Sequence, residues 1–169
     1  MSEMKPLIAI VPGSFDPITY GHIDLVERAS AQYDKVYLAV MINRDKNYMF
    51  TLEERKKIAQ AALEAYSNVE VISSEGMLWE LALKLEACAI VKGYRNETDL
   101  AYEQKMAEFN RLHNPMAETI LLESKSDLVN VSSTVVRDRI LRGEGLGDLM
   151  PQKAEETLYC FLDQKKCSK

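Results

Sequence analysis

The sequence is poor in the features that mark several protein classes. It has three cysteines, Cys88, Cys160 and Cys167, an odd number without the paired spacing of a zinc or redox motif. We therefore expect reduced thiols, as is typical of a cytoplasmic protein. Acidic residues outnumber basic ones, and the net charge of -5 argues against a nucleic-acid partner, because phosphate-rich polymers bind basic surfaces.

Long apolar runs are also missing from the sequence. No stretch approaches the roughly 20 apolar residues of a transmembrane helix, so no membrane partner is expected. The run at residues 7–11 ends at Pro12 and is too short for the core of a secretory signal. Length and the lack of linkers or repeats predict a single domain over residues 1–169, with a frayed basic tail at about 165–169.

The chain instead alternates two patterns regularly. Continuous apolar runs, typical of strands buried on both faces, alternate with amphipathic patterns typical of helices. The predicted strands are residues 7–11, 35–42, 69–73, 88–92 and 118–123. The predicted helices cover about 23–33, 51–66, 77–87, 98–112, 132–142 and 151–164. This order predicts an α/β fold: a single Rossmann-like domain with a five-stranded, mostly parallel sheet, helices on both faces and two C-terminal helices.

The loop after the first strand, GSFDPITYGH at residues 13–22, is unusual. Gly13 and Gly21 relax the steric limits on its backbone. His22 falls in the first turn of a predicted helix, where free N–H groups and the positive end of the dipole attract anions. The same helix end is expected to lower the pKa of the imidazole and keep it neutral. A histidine that only packs at a helix start is the alternative, and the T-x-G-H pattern favours ligand contact.

Polar residues follow most of the predicted strands. In an open α/β sheet, ligands bind beyond the carboxyl ends of the strands. The residues found there are Ser14, Asp16, Thr19 and His22, then Asn43, Arg44 and Lys46, then Lys92, Gly93 and Arg95, and finally Ser124, Lys125, Ser126, Ser132, Ser133 and Thr134. Together they predict a locally basic edge that suits a polyphosphate.

Each of these residues also has a plainer interpretation. Lys46 alone is typical of a solvated loop, and the pair Lys92 and Arg95 is typical of an exposed strand end. Ser132 predicts a helix N-cap whatever the function. The glycines of residues 143–147 follow a helix, so they predict a C-cap and turn. The first strand is not followed by G-x-G-x-x-G, which argues against an oxidoreductase.

Several segments carry a resemblance to a known family. PGSFDPITYGH (12–22) resembles the signature loop of the HxGH-type nucleotidyltransferases in its T-x-G-H form. The supporting segments are MFTLEER (49–55), KGYR (92–95) with YE at 102–103, and VSST (131–134). From Leu7 to about Phe161 the chain is similar to the bacterial phosphopantetheine adenylyltransferases.

The resemblance implies an enzyme of coenzyme A biosynthesis. Its substrates would be ATP and 4′-phosphopantetheine, and its products dephospho-coenzyme A and pyrophosphate. Mg²⁺ would be held through the phosphates of ATP and not by a metal site of the protein. The resemblance also implies a homohexamer in the cytoplasm and feedback inhibition by coenzyme A.

The resemblance further implies roles for individual residues. The catalytic residues would be His22, Lys46 and Arg95, with His22 donating a hydrogen bond to the α-phosphate as charge develops there. The residues contacting phosphopantetheine would be Ser14, Lys46, Leu78 and Lys92. The residues binding ATP would be Ser14, Phe15, His22, Gly93, Tyr94, Arg95, Glu103, Leu128, Val129, Asn130, Val131, Ser132, Ser133 and Thr134.

The chain departs from the family pattern near these residues. Lys92 stands where the family usually has arginine, so the charge is kept but the bidentate fork of arginine is lost. Tyr94 stands where the family usually has leucine. Relatives with other acceptors, such as glycerol-phosphate cytidylyltransferase or nicotinamide mononucleotide adenylyltransferase, stay open. The missing RTEGISTT stretch argues against the cytidylyltransferase. A nucleotide-binding regulator without catalysis is a third possibility, against which the presence of both His22 and Lys46 argues.

Overall fold

The fold is described from a computed structural model, which describes residues 3–168 of the chain. A five-stranded sheet of order β3-β2-β1-β4-β5 forms its centre. Every neighbouring pair of strands is parallel, which confirms the predicted α/β, Rossmann-like class. The strands are β1 (Ile8–Gly13), β2 (Lys35–Met41), β3 (Val69–Ser74), β4 (Ala89–Tyr94) and β5 (Glu118–Glu123).

Six helices connect or follow the strands in the described part of the chain. They are α1 (Tyr20–Ser30), α2 (Leu52–Leu63), α3 (Leu78–Lys84), α4 (Glu97–His113), α5 (Ser133–Arg142) and α6 (Gln152–Cys167). None of these helices is long and apolar enough to cross a membrane.

Burial on both faces of the sheet explains the continuous apolar runs. Successive residues of β1 point to opposite sides, so Ala9 and Val11 pack in one apolar cluster and Ile10 packs in the other. The first cluster also holds Val136 of α5 and Leu158 of α6, both fully buried. The two C-terminal helices therefore complete the core on one face of the sheet.

Helix α1 begins three residues earlier than expected, at Tyr20 and not Ile23. Thr19 takes the extended backbone conformation of an N-cap, and the backbone N–H of Ile23 donates to the carbonyl oxygen of Thr19 at 3.0 Å. His22 accordingly lies in the first turn, as predicted.

Strand β4 is longer than expected, reaching Tyr94 instead of residue 92. Its pairing with β5 continues through Gly93 and Tyr94, which are opposite Leu122 and Glu123. Gly93 and Tyr94 therefore lie within the strand and not in the loop after it. The apolar pattern could not show this extension, because the hydrogen-bonded ladder continues past the last apolar residue.

The prediction of a frayed basic tail is wrong for the described residues. Helix α6 continues to Cys167, so Lys165 and Lys166 are helical. Lys165 Nζ donates to the carbonyl oxygen of Met49 at 3.0 Å and lies 3.0 Å from Glu54 Oε2. These contacts anchor the last turns of the helix, whereas Lys169 lies outside the described residues.

The caps predicted at both ends of α5 are present, and Thr51 caps the start of α2. Thr51 Oγ1 accepts from the backbone N–H of Glu54 at 3.2 Å, although the Glu54 carboxylate pairs with Lys165. Ser132 Oγ accepts from the N–H of Val135 at 3.3 Å, and Gly143 ends α5 with φ of 69°. These caps fix where α2 and α5 begin relative to the strand ends.

Candidate active site

An open cleft with a volume of about 770 Å³ lies at the carboxyl ends of β1, β2 and β4. The N-terminus of α5 and one face of α4 complete its walls. Fourteen of the residues assigned to the site from the sequence line this cleft: Ser14, Phe15, His22, Lys46, Leu78, Lys92, Gly93, Arg95, Glu103, Leu128, Val131, Ser132, Ser133 and Thr134. Residues far apart in sequence thus meet at one edge of the sheet.

Three of the residues expected to bind ATP do not line the cleft: Tyr94, Val129 and Asn130. The backbone N–H of Val131 donates to the carbonyl oxygen of Leu128 at 3.0 Å and closes a turn. Val129 and Asn130 are the central residues of that turn, so they lie outside the lining while Leu128 and Val131 line it. For Tyr94 no contact explains its position outside the lining.

Other polar residues of the strand ends serve the scaffold. Asp16 is buried, and its carboxylate accepts from the backbone N–H groups of Met49 and Phe50 at 2.9 and 3.0 Å. Arg137 of α5 donates to the carbonyl oxygen of Asp16 at 2.8 Å. Lys125 Nζ lies 2.8 Å from the buried carboxylate of Asp24 on α1. These contacts hold the loops around the cleft in place.

The His22 imidazole is held in one orientation by its own helix start. Its Nδ1 accepts from the backbone N–H of Thr19 at 3.0 Å, so the proton of the neutral ring resides on Nε2. The ring also meets Phe15 edge to face, with centroids 4.9 Å apart. The structure therefore leaves a single N–H donor on this ring for a ligand.

Burial is the main reason that this imidazole stays neutral. It lowers the pKa of His22 from 6.5 to about 4, and the nearby positive charge of Arg95 adds to the effect. The sequence predicted the lowered pKa but attributed it to the helix end. Neutrality at physiological pH makes His22 a hydrogen-bond donor and not a charged group.

Two of the three cations that line the cleft are paired with carboxylates. Lys92 Nζ lies 2.6 Å from Glu103 Oε2, and both side chains are mostly buried. Arg95 Nε lies 3.3 Å from Asp99 Oδ2. The third cation, Lys46, extends from the loop after β2 and is exposed at the cleft. The phosphates of an anionic ligand would therefore replace Glu103 as the partner of Lys92 and Asp99 as the partner of Arg95.

Gly21 lets two walls of the cleft approach each other. A Cβ atom at this position would lie 2.9 Å from the carbonyl oxygen of Val131. The first turn of α1 thereby packs directly against the segment that leads into α5. Ser133 and Thr134, the first residues of α5, line the same cleft as His22, and the N–H groups of a helix start suit bound phosphate.

The face of α4 was largely missed by the sequence reasoning, which assigned only Glu103 there. Thr98, Asp99 and Tyr102 line the cleft together with Glu103. Their spacing of three and four residues places them on one side of a helix. Polar residues at this spacing directly after the cation-bearing strand were the available signal.

A parallel sheet whose carboxyl edge gathers a neutral histidine, three cations and a helix N-terminus defines a nucleotide-handling group transferase. A family model, cytidylyltransferase-like, matches residues 10–139. A solved Vibrio parahaemolyticus structure assigned as a nicotinate-nucleotide adenylyltransferase superposes with a TM-score of 0.72 at 20% identity, covering 92% of this chain and 93% of that one. At that identity the likeness concerns the fold.

Curated relatives are more similar in sequence. The phosphopantetheine adenylyltransferase of Streptococcus gordonii is 42% identical over 92% of this chain and 95% of its own length. That of Lactobacillus acidophilus is 40% identical over 89% of this chain and 94% of its own length. The chain belongs to the cytidylyltransferase-like family and, within it, to the phosphopantetheine adenylyltransferases.

Proposed function

We propose that this protein transfers the adenylyl group of ATP to 4′-phosphopantetheine, giving dephospho-coenzyme A and pyrophosphate in coenzyme A biosynthesis. The full-length similarity to relatives named for this activity supports the proposal. The observation that carries it is the convergence of His22, Lys46, Lys92 and Arg95 on one cleft beside the N-terminus of α5. That arrangement suits two phosphorylated substrates that must be brought together.

The chemistry needs orientation and charge neutralisation more than a base. The phosphate of phosphopantetheine is already an anionic nucleophile near neutral pH. One of its oxygens attacks the α-phosphorus of ATP, the new P–O bond forms, and the bond to the bridging oxygen breaks as pyrophosphate leaves. Catalysis then consists of alignment and stabilisation of the developing negative charge.

We assign that stabilisation to His22, Lys46 and Arg95. The Nε2–H of His22 would donate to the α-phosphate, since Nδ1 is already occupied by Thr19. Lys46 would reach both the phosphates and the incoming nucleophile from its exposed loop. Arg95 would leave Asp99 for the phosphates of ATP. A single donor aimed at developing charge is typically worth about 3–4 kcal/mol of barrier.

The remaining lining residues divide between the two substrates. Leu128, Val131 and the start of α5 at Ser132–Thr134 would hold the outer phosphates of ATP, with Glu103 at the ribose. Lys92 would bind the phosphate of phosphopantetheine, with Ser14 beside both substrates. Leu78, at the start of α3, would contact the apolar arm.

Mg²⁺ is proposed to enter as part of the MgATP substrate. Within residues 3–168 no group of three histidine, cysteine or acidic side chains is placed to hold a metal ion. Among the lining residues, the carboxylates of Asp99 and Glu103 are paired with Arg95 and Lys92. The phosphates of ATP are the hard oxygen ligands that Mg²⁺ prefers.

We further propose feedback inhibition by coenzyme A, a homohexameric assembly and a cytoplasmic location. Coenzyme A contains both the pantetheine arm and the adenosine of the product, so it would compete for the same cleft. Large apolar side chains at the end of α4 and just beyond, Phe109, Leu112 and Met116, are 39%, 70% and 77% exposed, which supports an interface between copies. Free cysteines and the use of ATP support the cytoplasmic location.

An acceptor panel tests the proposed reaction. The protein is incubated with Mg²⁺ and ATP or CTP, and with 4′-phosphopantetheine, nicotinamide mononucleotide or glycerol phosphate, while pyrophosphate and the nucleotide product are measured. We expect dephospho-coenzyme A and pyrophosphate in equal amounts, from ATP and 4′-phosphopantetheine. A clear preference for another acceptor, or ATP binding without turnover, would reject the proposal.

A further inference from the structure

Arg55 of α2 is the largest fully buried side chain in the described part of the protein, with 1% of its surface exposed. Arginine is rarely buried to this extent, because removing a charge from water is costly unless the group is well hydrogen-bonded. The groups that the guanidinium contacts must therefore offset the cost of its burial.

The guanidinium of Arg55 joins the ends of two adjacent strands. Its Nη1 donates to the carbonyl oxygen of Ser14, just after β1, at 2.7 Å. The same nitrogen donates to the carbonyl oxygen of Met41, the last residue of β2, at 3.0 Å. One buried group thus bonds the backbone of both loops that lead into the cleft.

Tyr48 extends this contact to the loop that carries Lys46. Its ring lies over the guanidinium, with the Arg55 carbon 3.9 Å from the ring centroid. Its hydroxyl oxygen accepts from the backbone N–H of Asn43 at 2.6 Å and lies 3.4 Å from Ser14 Oγ. Arg55 and Tyr48 together therefore connect the loop of Ser14 with the loop of Asn43 and Lys46.

These contacts affect the shape of the cleft, because they bond the loops that carry Ser14, Asn43 and Lys46, which all line it. Arg55 and Tyr48 themselves are outside the lining. Arg55 Nε has no hydrogen-bond partner among the described residues, so the fold tolerates an unsatisfied donor at this position. An apolar residue of similar size would avoid that cost but would leave both carbonyl groups without their donor.

We propose that Arg55 is a positioning residue for adenylyl transfer, whose guanidinium fixes the spacing between the loop of Ser14 and the loop of Lys46. The inference rests on the proposed function, in which these two loops hold the phosphopantetheine phosphate against the α-phosphorus of ATP. Arg55 does not touch either substrate. It acts through the two backbone carbonyl groups and through Tyr48.

The variant Arg55→Lys tests this role because it keeps the charge but shortens the side chain and removes the planar group. The lysine ammonium would end about one bond short of Nη1, the nitrogen that donates to both carbonyl oxygens, and it has no planar face to lie against the Tyr48 ring. Since a misplacement of about 1 Å can cost roughly a hundredfold in rate, we expect kcat to fall by about 10- to 100-fold with both substrates saturating. The KM for 4′-phosphopantetheine should rise as well.

A positioning role predicts that Arg55→Lys lowers kcat and leaves the affinity for ATP nearly unchanged, whereas a merely structural role predicts a loss of both. Most of the proposed ATP contacts lie on β4, α4 and the N-terminus of α5, to which Arg55 makes no hydrogen bond, so the Kd for ATP measured by calorimetry should change by less than about threefold. Lys57→Met is the matched control, because it removes an exposed cation from the same helix and should leave all three parameters unchanged. Thermal melts establish the folded fraction of each variant.

Tyr48→Phe is the second variant, which keeps the ring over the guanidinium and removes only the hydroxyl group. We expect it to lower kcat severalfold without a change in ATP affinity. If Arg55→Lys does not fold, Tyr48→Phe alone tests whether this pair of side chains positions the two loops. Folded variants with a kcat within twofold of the wild type would overturn the inference. A loss of ATP affinity as large as the loss of kcat would also overturn the inference. An inactive wild-type protein would instead reject the proposed function.

Discussion

Lys92 on β4 and Glu103 on α4 form an ion pair inside the cleft, with 2.6 Å between Nζ and Oε2. In the proposed reaction these residues serve different substrates, Lys92 the phosphate of phosphopantetheine and Glu103 the ribose of ATP. Binding of the phosphate to Lys92 would release the carboxylate of Glu103 for the ribose. The pair therefore links the two binding steps.

Replacing Glu103 with glutamine should separate these two roles. Without the competing carboxylate, the KM for 4′-phosphopantetheine should fall severalfold, because Lys92 no longer has to leave an ion pair. The KM for ATP should rise about tenfold, since a hydrogen bond to a charged group is lost at the ribose. Steady-state kinetics with each substrate varied in turn measure both parameters.

Glu97→Gln is the control for this experiment, because Glu97 is exposed on the first turn of the same helix. It should leave both KM values unchanged. A parallel rise of both KM values in the Glu103 variant would contradict the proposed exchange of partners.

The neutral state of His22 predicts a loss of stability at low pH. Its pKa is lowered from 6.5 to about 4 in the folded protein, so the unfolded chain binds a proton that the folded protein does not bind in this range. This destabilisation of the folded protein by His22 is absent above about pH 7 and grows as the pH falls from 6.5 towards 4. It should reduce the free energy of unfolding by about 2 kcal/mol at about pH 5.

The measurement is denaturant unfolding at about pH 7 and about pH 5, for the wild type and His22→Asn. The asparagine carbonyl oxygen can accept from the N–H of Thr19 as Nδ1 does, but it does not titrate. The loss between the two pH values should be about 2 kcal/mol smaller in the variant. Equal losses in both proteins would show that the folded-state pKa of His22 is not lowered.

The close approach at Gly21 predicts that even a methyl group is harmful there. In Gly21→Ala, the new Cβ would lie 2.9 Å from the carbonyl oxygen of Val131, a backbone atom that cannot rotate away. The start of α1 and the segment before α5 would be pushed apart, at a cost of about 1–3 kcal/mol in the free energy of unfolding. The KM for ATP should rise, because this segment leads to the proposed phosphate site.

Gly145→Ala is the matched control, since no atom lies within 4 Å of a Cβ built at that position. It should leave the KM for ATP unchanged and the stability equal or slightly higher. Wild-type affinity and stability in Gly21→Ala would mean that the packing of α1 against Val131 is not required.

The sequence predicted much of the fold and most of the cleft because both depend on local patterns. The strand runs and the T-x-G-H loop are local, and the rule that ligands bind at the carboxyl ends of parallel strands brings distant loops together. The extension of β4 through Tyr94 was missed because it depends on pairing with β5. No local pattern gives that pairing.

The parts of the site that could not be predicted depend on distances between elements. The Lys92–Glu103 pair requires the separation of β4 and α4, and the dominant effect of burial on His22 requires knowledge of what covers the ring. Asp16 looked like a ligand residue from its position, yet it is buried against the N–H groups of Met49 and Phe50. A carboxylate after a strand is equally typical of loop anchoring and of ligand binding.

The central claim is that the Nε2–H of His22 stabilises charge on the α-phosphate during adenylyl transfer to 4′-phosphopantetheine. The most direct measurement is kcat for the wild type, His22→Ala and His22→Gln at saturating substrates, with the thermal midpoint of each protein recorded. We predict a fall of roughly a hundredfold or more in His22→Ala. A smaller fall is expected in His22→Gln, whose amide keeps an N–H donor. Undiminished turnover in folded His22→Ala would contradict the account.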